Sequence, residues 1–318
     1  MYLTLTINPS IDYFVNLPEG VTLVTGNEDA PAVNRSTGET YKAGGKGINV
    51  AKILNRLDGG TKTTVTATGF TAGFTGAEIS RNVESEGIVS RFIEVGGNSR
   101  INLKIRDGVG IETEINGSGP EIGPGDISRL IDTICSTESD TLFISGSIPS
   151  SCPSDTYALI IKAVLEKDPS TRIIVDCEGE VMRKCLPFRP FLVKPNAHEL
   201  AELTGMNITT NSSLPEIRSA ASALIESGAR NVLVSLGSNG ACLLTEDGVF
   251  LESSGIEAEA VSTIGAGDTM IASFTFMFDR THDYRKALDF SNACAACAVR
   301  TQGLPAASDL SDIIKEFA

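Results

Sequence analysis

The stretch TLFISGSIPSSCPSDTYALIIKAVLEKDPSTRIIVD, residues 141–176, decides the fold. Its two ends, TLFIS and RIIVD, are short runs of mostly apolar or β-branched residues, the composition of strands buried on both faces. Between them DTYALIIKAVLEK, residues 155–167, has a helical pattern. Buried strands alternating with helices build a parallel sheet covered on both sides. The same rhythm continues outward. YLTLTI (2–7) is a strand stopped by Asn8-Pro9, and GINVAKILNRL (47–57) carries Val50, Ile53, Leu54 and Leu57 at helical spacing. FLVK (191–194) and NVLVSLG (231–237) are further strands, and EIRSAASALIESGA (216–229) is a further helix. The expected class is α/β, with a mostly parallel central sheet flanked by helices on both faces. In open sheets of this kind ligands bind beyond the carboxyl ends of the strands.

Two segments break the rhythm. SIDYFVNL (10–17) leads into residues 20–43, which are polar and turn-rich. SRINLKIRDGVGIETEIN (99–116) alternates strictly and turns at Asp107-Gly108, the pattern of a hairpin. Together they are expected to form a small antiparallel lid, discontinuous in sequence, from about 11–43 and 91–117. Within the hairpin Ile101, Leu103 and Ile105 take one face while Arg100, Asn102 and Lys104 take the other. Composition alone favours a solvated polar face there, with a ligand-facing one as the alternative.

The chain has 318 residues, 41% of them hydrophobic, and a net charge of −14. That charge argues against nucleic acid and anionic membrane surfaces as partners. No run of about 18 apolar residues is present, so no membrane span is expected. MYLTLTINPS lacks the basic start of a signal peptide and reads as a strand. Seven irregularly spaced cysteines point to reduced thiols in a cytoplasm. Cys294 and Cys297 form a C-x-x-C, but with no second ligand pair they read as small core residues.

STIGAGDTM, residues 262–270, places a glycine-rich turn before the apolar run TMIASFTFMF. Such a turn at a helix start is an anion site, because unpaired N–H groups and the helix dipole point the same way. Asp268 beside it would repel a static anion, yet suits a base next to a phosphoryl group in transit. KPNAHELAEL (194–203) holds Asn196 and Glu199 at capping-box spacing. The same pair can organise Mg²⁺ and its waters, and the two readings are compatible. ISGSIPSS (144–151) and VSLGSNGA (234–241) are small-residue loops after strands, and Asp12 follows the first strand next to Ser10. His198 and His282 read as surface residues. No G-x-x-x-x-G-K-[ST] phosphate loop is present.

NPSID (8–12), GGKGINVAKIL (44–54), SGSIPSS (145–151), KPNAHEL (194–200) and STIGAGDTM occur in the order and rough spacing of the PfkB (ribokinase-like) sugar kinase family. The resemblance covers essentially the whole chain. GFTG (73–76), SRINLKI (99–105) and TEINGSGP (113–120) look like its bacterial 1-phosphofructokinase branch, to which tagatose-6-phosphate kinases are close. Thr269 stands where the family usually has Ser.

The resemblance implies one ribokinase-like kinase domain over residues 1–318. It also implies Mg·ATP-dependent phosphorylation of a ketohexose phosphate, fructose 1-phosphate to fructose 1,6-bisphosphate. Tagatose 6-phosphate and fructose 6-phosphate are the alternative acceptors; a silent sugar or nucleotide sensor is the distant one. Residue by residue, Asp268 is the base, and Gly265, Ala266 and Gly267 give the anion hole. Asp12, Gly44, Gly45 and Asn49 grip sugar hydroxyls, and Lys46 neighbours them, within reach of the sugar's phosphate. Arg100, Asn102 and Lys104 meet that phosphate, which reverses the solvated reading of their face. Ser147 lies by the transferring phosphate. Lys194, Asn196, Glu199, Ser235, Gly237 and Gly240 serve Mg·ATP, with Mg²⁺ organised through Glu199 and Asn196 by way of water, and Asn292 near the adenine. The resemblance further implies a monovalent cation such as K⁺ near the GAGD turn, and a cytoplasmic homodimer built through the lid.

Overall fold

The computed structural model describes residues 1–18, 20, 33–59, 64–108, 112–301 and 303–317. In chain order its first half runs β1 (Tyr2–Thr6), β2 (Ser10–Leu17), β3 (Gly38–Gly44), α1 (Lys46–Asp58), β4 (Val65–Ala72), α2 (Gly73–Ser85), β5 (Val89–Val95), β6 (Arg100–Asp107), β7 (Glu112–Asn116), α3 (Pro124–Ser136) and β8 (Thr141–Ser145). The second half runs α4 (Thr156–Lys167), β9 (Arg172–Asp176), α5 (Gly179–Cys185), β10 (Leu192–Val193), α6 (Ala197–Thr204), α7 (Leu214–Glu226), β11 (Asn231–Ser235), β12 (Gly240–Thr245) and β13 (Phe250–Ser254). Three helices close the chain: α8 (Ala266–Thr281), α9 (Tyr284–Val299) and α10 (Ala307–Phe317).

Nine strands form the main sheet in the order β13-β12-β11-β10-β9-β8-β1-β4-β5. From β11 to β5 every pairing is parallel. β12 and β13 continue the sheet as an antiparallel hairpin at one edge. The strands send alternate side chains to two cores, as period-2 geometry requires. Leu142 and Ile144 join a core with α3, α4, α5 and α7, while Phe143 joins one with α1, α8 and α9. Both faces are thus covered, as the buried strand composition implies. Helix α8 is buried from Asp268 to Met277, consistent with its nearly unbroken apolar run.

From β1 the chain places β4 on one side and β8 on the other. The carboxyl ends of β1 and β8 therefore flank a crevice at the point where strand order reverses, the expected ligand position. A second sheet, β3-β2-β6-β7, lies beside that crevice. Its outer pairs are antiparallel hairpins, β2 with β3 and β6 with β7, and its central pair β2–β6 is parallel. The second lid segment begins at Arg100: residues 91–95, assigned to the lid from sequence, pair with β4 at the main sheet's edge. Part of the expected lid (residues 19, 21–32 and 109–111, including the tip after Gly108) lies outside the described residues.

The lid is inverted relative to an ordinary surface sheet. Asn102 and Lys104 are buried, whereas Ile101 and Ile115 are 40% and 56% exposed. The polar face looks into the crevice because the strand ends below it are polar. Among the described residues no helix is long and apolar enough to cross a membrane. Cys294 is buried and Cys297 half-buried in α9, and all seven cysteines are free.

Candidate active site

A cavity of about 810 Å³ opens between the lid and the carboxyl ends of β1, β8 and β9. At its centre is Asp268, in the first turn of α8. Gly265 caps that helix in the left-handed region at φ 78°. The turn requires glycine, and a Cβ there would also lie 2.5 Å from Leu304 Cδ2 and push that side chain aside. Gly267 approaches Lys194 so closely that a Cβ would sit 3.1 Å from Nζ. Gly265 and Gly267 line the cavity. Ala266 does not, and its N–H points instead to the Thr263 carbonyl at 3.4 Å.

Asp268 is buried, and its Oδ2 accepts a 2.8 Å hydrogen bond from Asn49 Nδ2 on α1. Burial pushes its carboxyl up to about 6, and the charge of Asp176 adds to the rise. The Asn49 bond, Lys46 and Lys194 pull the other way. The result is a carboxylate that is ionised near neutrality yet basic enough to accept a proton, the tuning expected of a general base.

Asp176, the last residue of β9, holds the cations around this carboxylate. Its Oδ1 lies 3.5 Å from Lys46 Nζ and 3.5 Å from Lys194 Nζ. Its Oδ2 is buried with no hydrogen-bond partner among the described residues. Lys46 also reaches Glu178 Oε1 at 3.8 Å. Burial alone would lower the Lys46 ammonium, but Asp176, Asp268, Glu199 and Glu178 together raise it. The structure thus draws Lys46, expected beside the sugar-gripping residues and within reach of the sugar's phosphate, toward Asp176 and Glu178.

At the lid end Asp12 Oδ1 accepts from Ser10 Oγ at 2.8 Å and from Asn102 Nδ2 at 3.0 Å. Gly44 is behind this carboxylate rather than on the wall; a Cβ there would be 2.3 Å from Asp12 Oδ2. Gly45, Asn49, Arg100, Asn102 and Lys104 all line the cavity. Arg100 Nε donates to the Asn8 carbonyl at 3.1 Å, and Lys104 forms an ion pair with Glu114 across β6–β7. Ser147, after β8, joins the wall.

At the opposite end Asn196 and Glu199 form a reciprocal cap on α6, each side chain accepting the other's backbone N–H at 2.9 Å. The capping reading is therefore realised. No described residue bonds Glu199 Oε1, which leaves one carboxylate oxygen available to a hydrated ion. Ser235 and Gly237 line this end, and exposed His198 stands on its rim. Gly240 and Asn292 do not reach the cavity. Asn292 Nδ2 donates to Ser253 Oγ and the Ser254 carbonyl at 3.1 and 2.7 Å, and Gly240 packs on the Ser253 carbonyl. Both fix the position of β13. Among the described residues no three His, Cys, Asp or Glu side chains converge on a common metal position.

Sequence reasoning passed over Asp176, Glu178, Asn8 and Glu114. Asp176 carried a usable signal, since it ends the strand RIIVD on the side where ligands bind. Glu114 could have been found from the cross-strand register, which places it opposite Lys104.

A raised carboxylate at a helix N-terminus, two lysines beside it and an arginine–lysine lid line one cavity, an arrangement suited to phosphoryl transfer to a hydroxyl. The comparisons agree. Residues 8–309 match the pfkB family carbohydrate kinase profile, and the chain belongs to that family; it is a sugar phosphotransferase. The 1-phosphofructokinase of Bacillus subtilis is 39% identical over 275 residues, 86% of this chain and 84% of that protein. The D-tagatose-1-phosphate kinase of Bacillus licheniformis is 33% identical over 100% of this chain and 98% of that protein. Phosphofructokinase-2 from Escherichia coli in complex with fructose-6-phosphate has 26% identity and a TM-score of 0.85, covering 99% of this chain and 98% of that one. The same enzyme is known in complex with potassium, with a TM-score of 0.86.

Proposed function

We propose that the chain is a single kinase domain with a lid over 10–17, 38–44, 100–107 and 112–116, and that it transfers the γ-phosphoryl of Mg·ATP to the C6 hydroxyl of fructose 1-phosphate. The observation that carries this reading is that Asp268, bonded to Asn49, lines the same cavity as Arg100, Asn102 and Lys104 of the lid. A phosphosugar with its phosphate on these lid cations has its far hydroxyl toward Asp268. Arg offers a bidentate fork for the phosphate and Lys a point charge. The names of relatives such as the Bacillus subtilis enzyme support the 1-phosphate acceptor.

Asp12 and the Gly45 backbone hold the sugar's hydroxyls, and Asn49 orients the Asp268 carboxylate. Asp268 takes the hydroxyl proton as the sugar oxygen attacks the γ-phosphorus in line. The bond to the β–γ bridging oxygen breaks and ADP departs. Lys46, Lys194 and the N–H groups at the start of α8 stabilise the charge on the transferring group.

The cavity carries six acids (Asp12, Glu114, Asp176, Glu178, Glu199, Asp268) against four cations (Lys46, Arg100, Lys104, Lys194). A bare triphosphate is poorly matched to that surplus, and a magnesium salt fits it. Mg²⁺ would neutralise charge at the phosphates, and Glu199 and Asn196 would organise it by way of water. The potassium complex of the Escherichia coli enzyme supports a bound monovalent cation in this chain as well. The free cysteines support a reducing cytoplasm.

Tagatose 1-phosphate, the C4 epimer, is a second acceptor that the full-length match to the Bacillus licheniformis enzyme favours. Phosphorus NMR of the product made from Mg·ATP and fructose 1-phosphate tests the reading. Two sugar phosphomonoester signals in equal amount are expected. Consumption of ATP only with fructose 6-phosphate or tagatose 6-phosphate would reverse the bound sugar and contradict it.

A further inference from the structure

Lys104 and Glu114 face each other across β6–β7 as an ion pair, with side chains 8% and 41% exposed. A lysine withdrawn from water to that degree needs a counter-charge, and Glu114 supplies it. Yet Lys104 belongs to the lid face that meets the acceptor's phosphate, and a phosphate approaching Lys104 meets the Glu114 carboxylate beside it. The two partners differ in freedom. Lys104 is on β6, held between β2 and β7, whereas Glu114 is on β7, an edge strand whose residues are all exposed.

We propose that Glu114 is an affinity-setting latch: it neutralises Lys104 while the lid is empty, then turns to solvent as the acceptor's phosphate takes the lysine over. This rests on the phosphosugar reading of the same site. The latch has a physical purpose. A grip by Arg100 and Lys104 binds substrate and bisphosphate product alike, and such uniform binding lowers KM without raising kcat. A carboxylate that competes for the lysine weakens both complexes and speeds exchange. It also keeps a buried ammonium from trapping inorganic phosphate between turnovers.

Calorimetric titration of fructose 1-phosphate without nucleotide tests this with four proteins: wild type, Glu114→Gln, Glu114→Asp and Arg100→Met. Glu114→Gln is expected to tighten binding about fivefold, the upper range for a half-exposed charge pair. Glu114→Asp, which keeps the charge, stays near wild type. In turnover the Gln variant shows its effect in KM rather than kcat, and inorganic phosphate inhibits it more strongly. Equal or weaker binding by Glu114→Gln, with Arg100→Met weakened tenfold or more, would show a plain cross-strand contact and overturn the latch. Wild-type affinity in Arg100→Met would overturn the phosphate anchor itself, and the latch with it.

Discussion

Asp268 is buried for a purpose that costs stability. Its folded carboxyl is raised from 3.8 to about 6, so between those values the native state holds more protons than the unfolded one. Stability from this group therefore falls as pH rises through that window. At neutral pH the ionised Asp268, raised from 3.8 to about 6, costs about 3 kcal/mol. Asp268→Asn keeps an acceptor for Asn49 and removes the buried charge. It is expected to lose roughly 10²–10⁴-fold in kcat while raising Tm at pH 7.5, with a smaller gain at pH 5; calorimetry at both pH values checks the pair of signs. Wild-type kcat should decline as pH drops below about 6, and Asn49→Ala should move that limb to higher pH, because the Asn49 bond lowers the Asp268 carboxyl. A pH–rate profile of each reads this directly. Asp268 was legible in the sequence because a carboxylate after Gly-Ala-Gly makes little sense as packing. Asp176 carried only its place at a strand's ligand-side end, and its role shows when the lysines from α1 and from the end of β10 are seen to meet on it.

At the scale of elements, the turn before α8 is the most demanding piece of backbone. Gly265→Ala adds a Cβ at φ 78° and 2.5 Å from Leu304 Cδ2. A loss of about 1–3 kcal/mol is expected, read as a lower denaturant midpoint, along with loss of turnover as the helix start shifts from Asp268. Strand β6 shows what alternation can and cannot tell. The pattern separated Arg100, Asn102 and Lys104 from Ile101, Leu103 and Ile105, but not which face looks inward. On an ordinary sheet the apolar face would be buried; here the polar one is, because a polar cavity lies beneath. The family resemblance, not the periodicity, predicted that outcome. Strand β5 falls partly inside the expected lid bound of 91–117, and its pairing with β4 places it at the main sheet's edge. Asn196 and Glu199 fit both a cap and an ion site from spacing alone, and the cap is what their hydrogen bonds realise.

At the scale of the molecule, the outward lid face leaves Tyr41, Ile101 and Ile115 at 47%, 40% and 56% exposure. Apolar residues on an open sheet surface mark an interaction site, and we propose a second copy of the lid as its partner. Sedimentation is expected to show a dimer that Ile101→Glu with Ile115→Glu converts to monomer. The overall charge of −14 concentrates recognition of anions into the cavity's four cations, so acceptor choice should depend on them rather than on the protein's field. That choice is the centre of the account, and the most direct measurement of it is kcat/KM for Mg·ATP-dependent ADP release across fructose 1-phosphate, fructose 6-phosphate, tagatose 6-phosphate, fructose and ribose. The expected result is a preference for fructose 1-phosphate of about tenfold or more, roughly 1.4 kcal/mol at the transition state. A preference for unphosphorylated fructose or ribose would contradict it, because it would remove any phosphate role for Arg100 and Lys104.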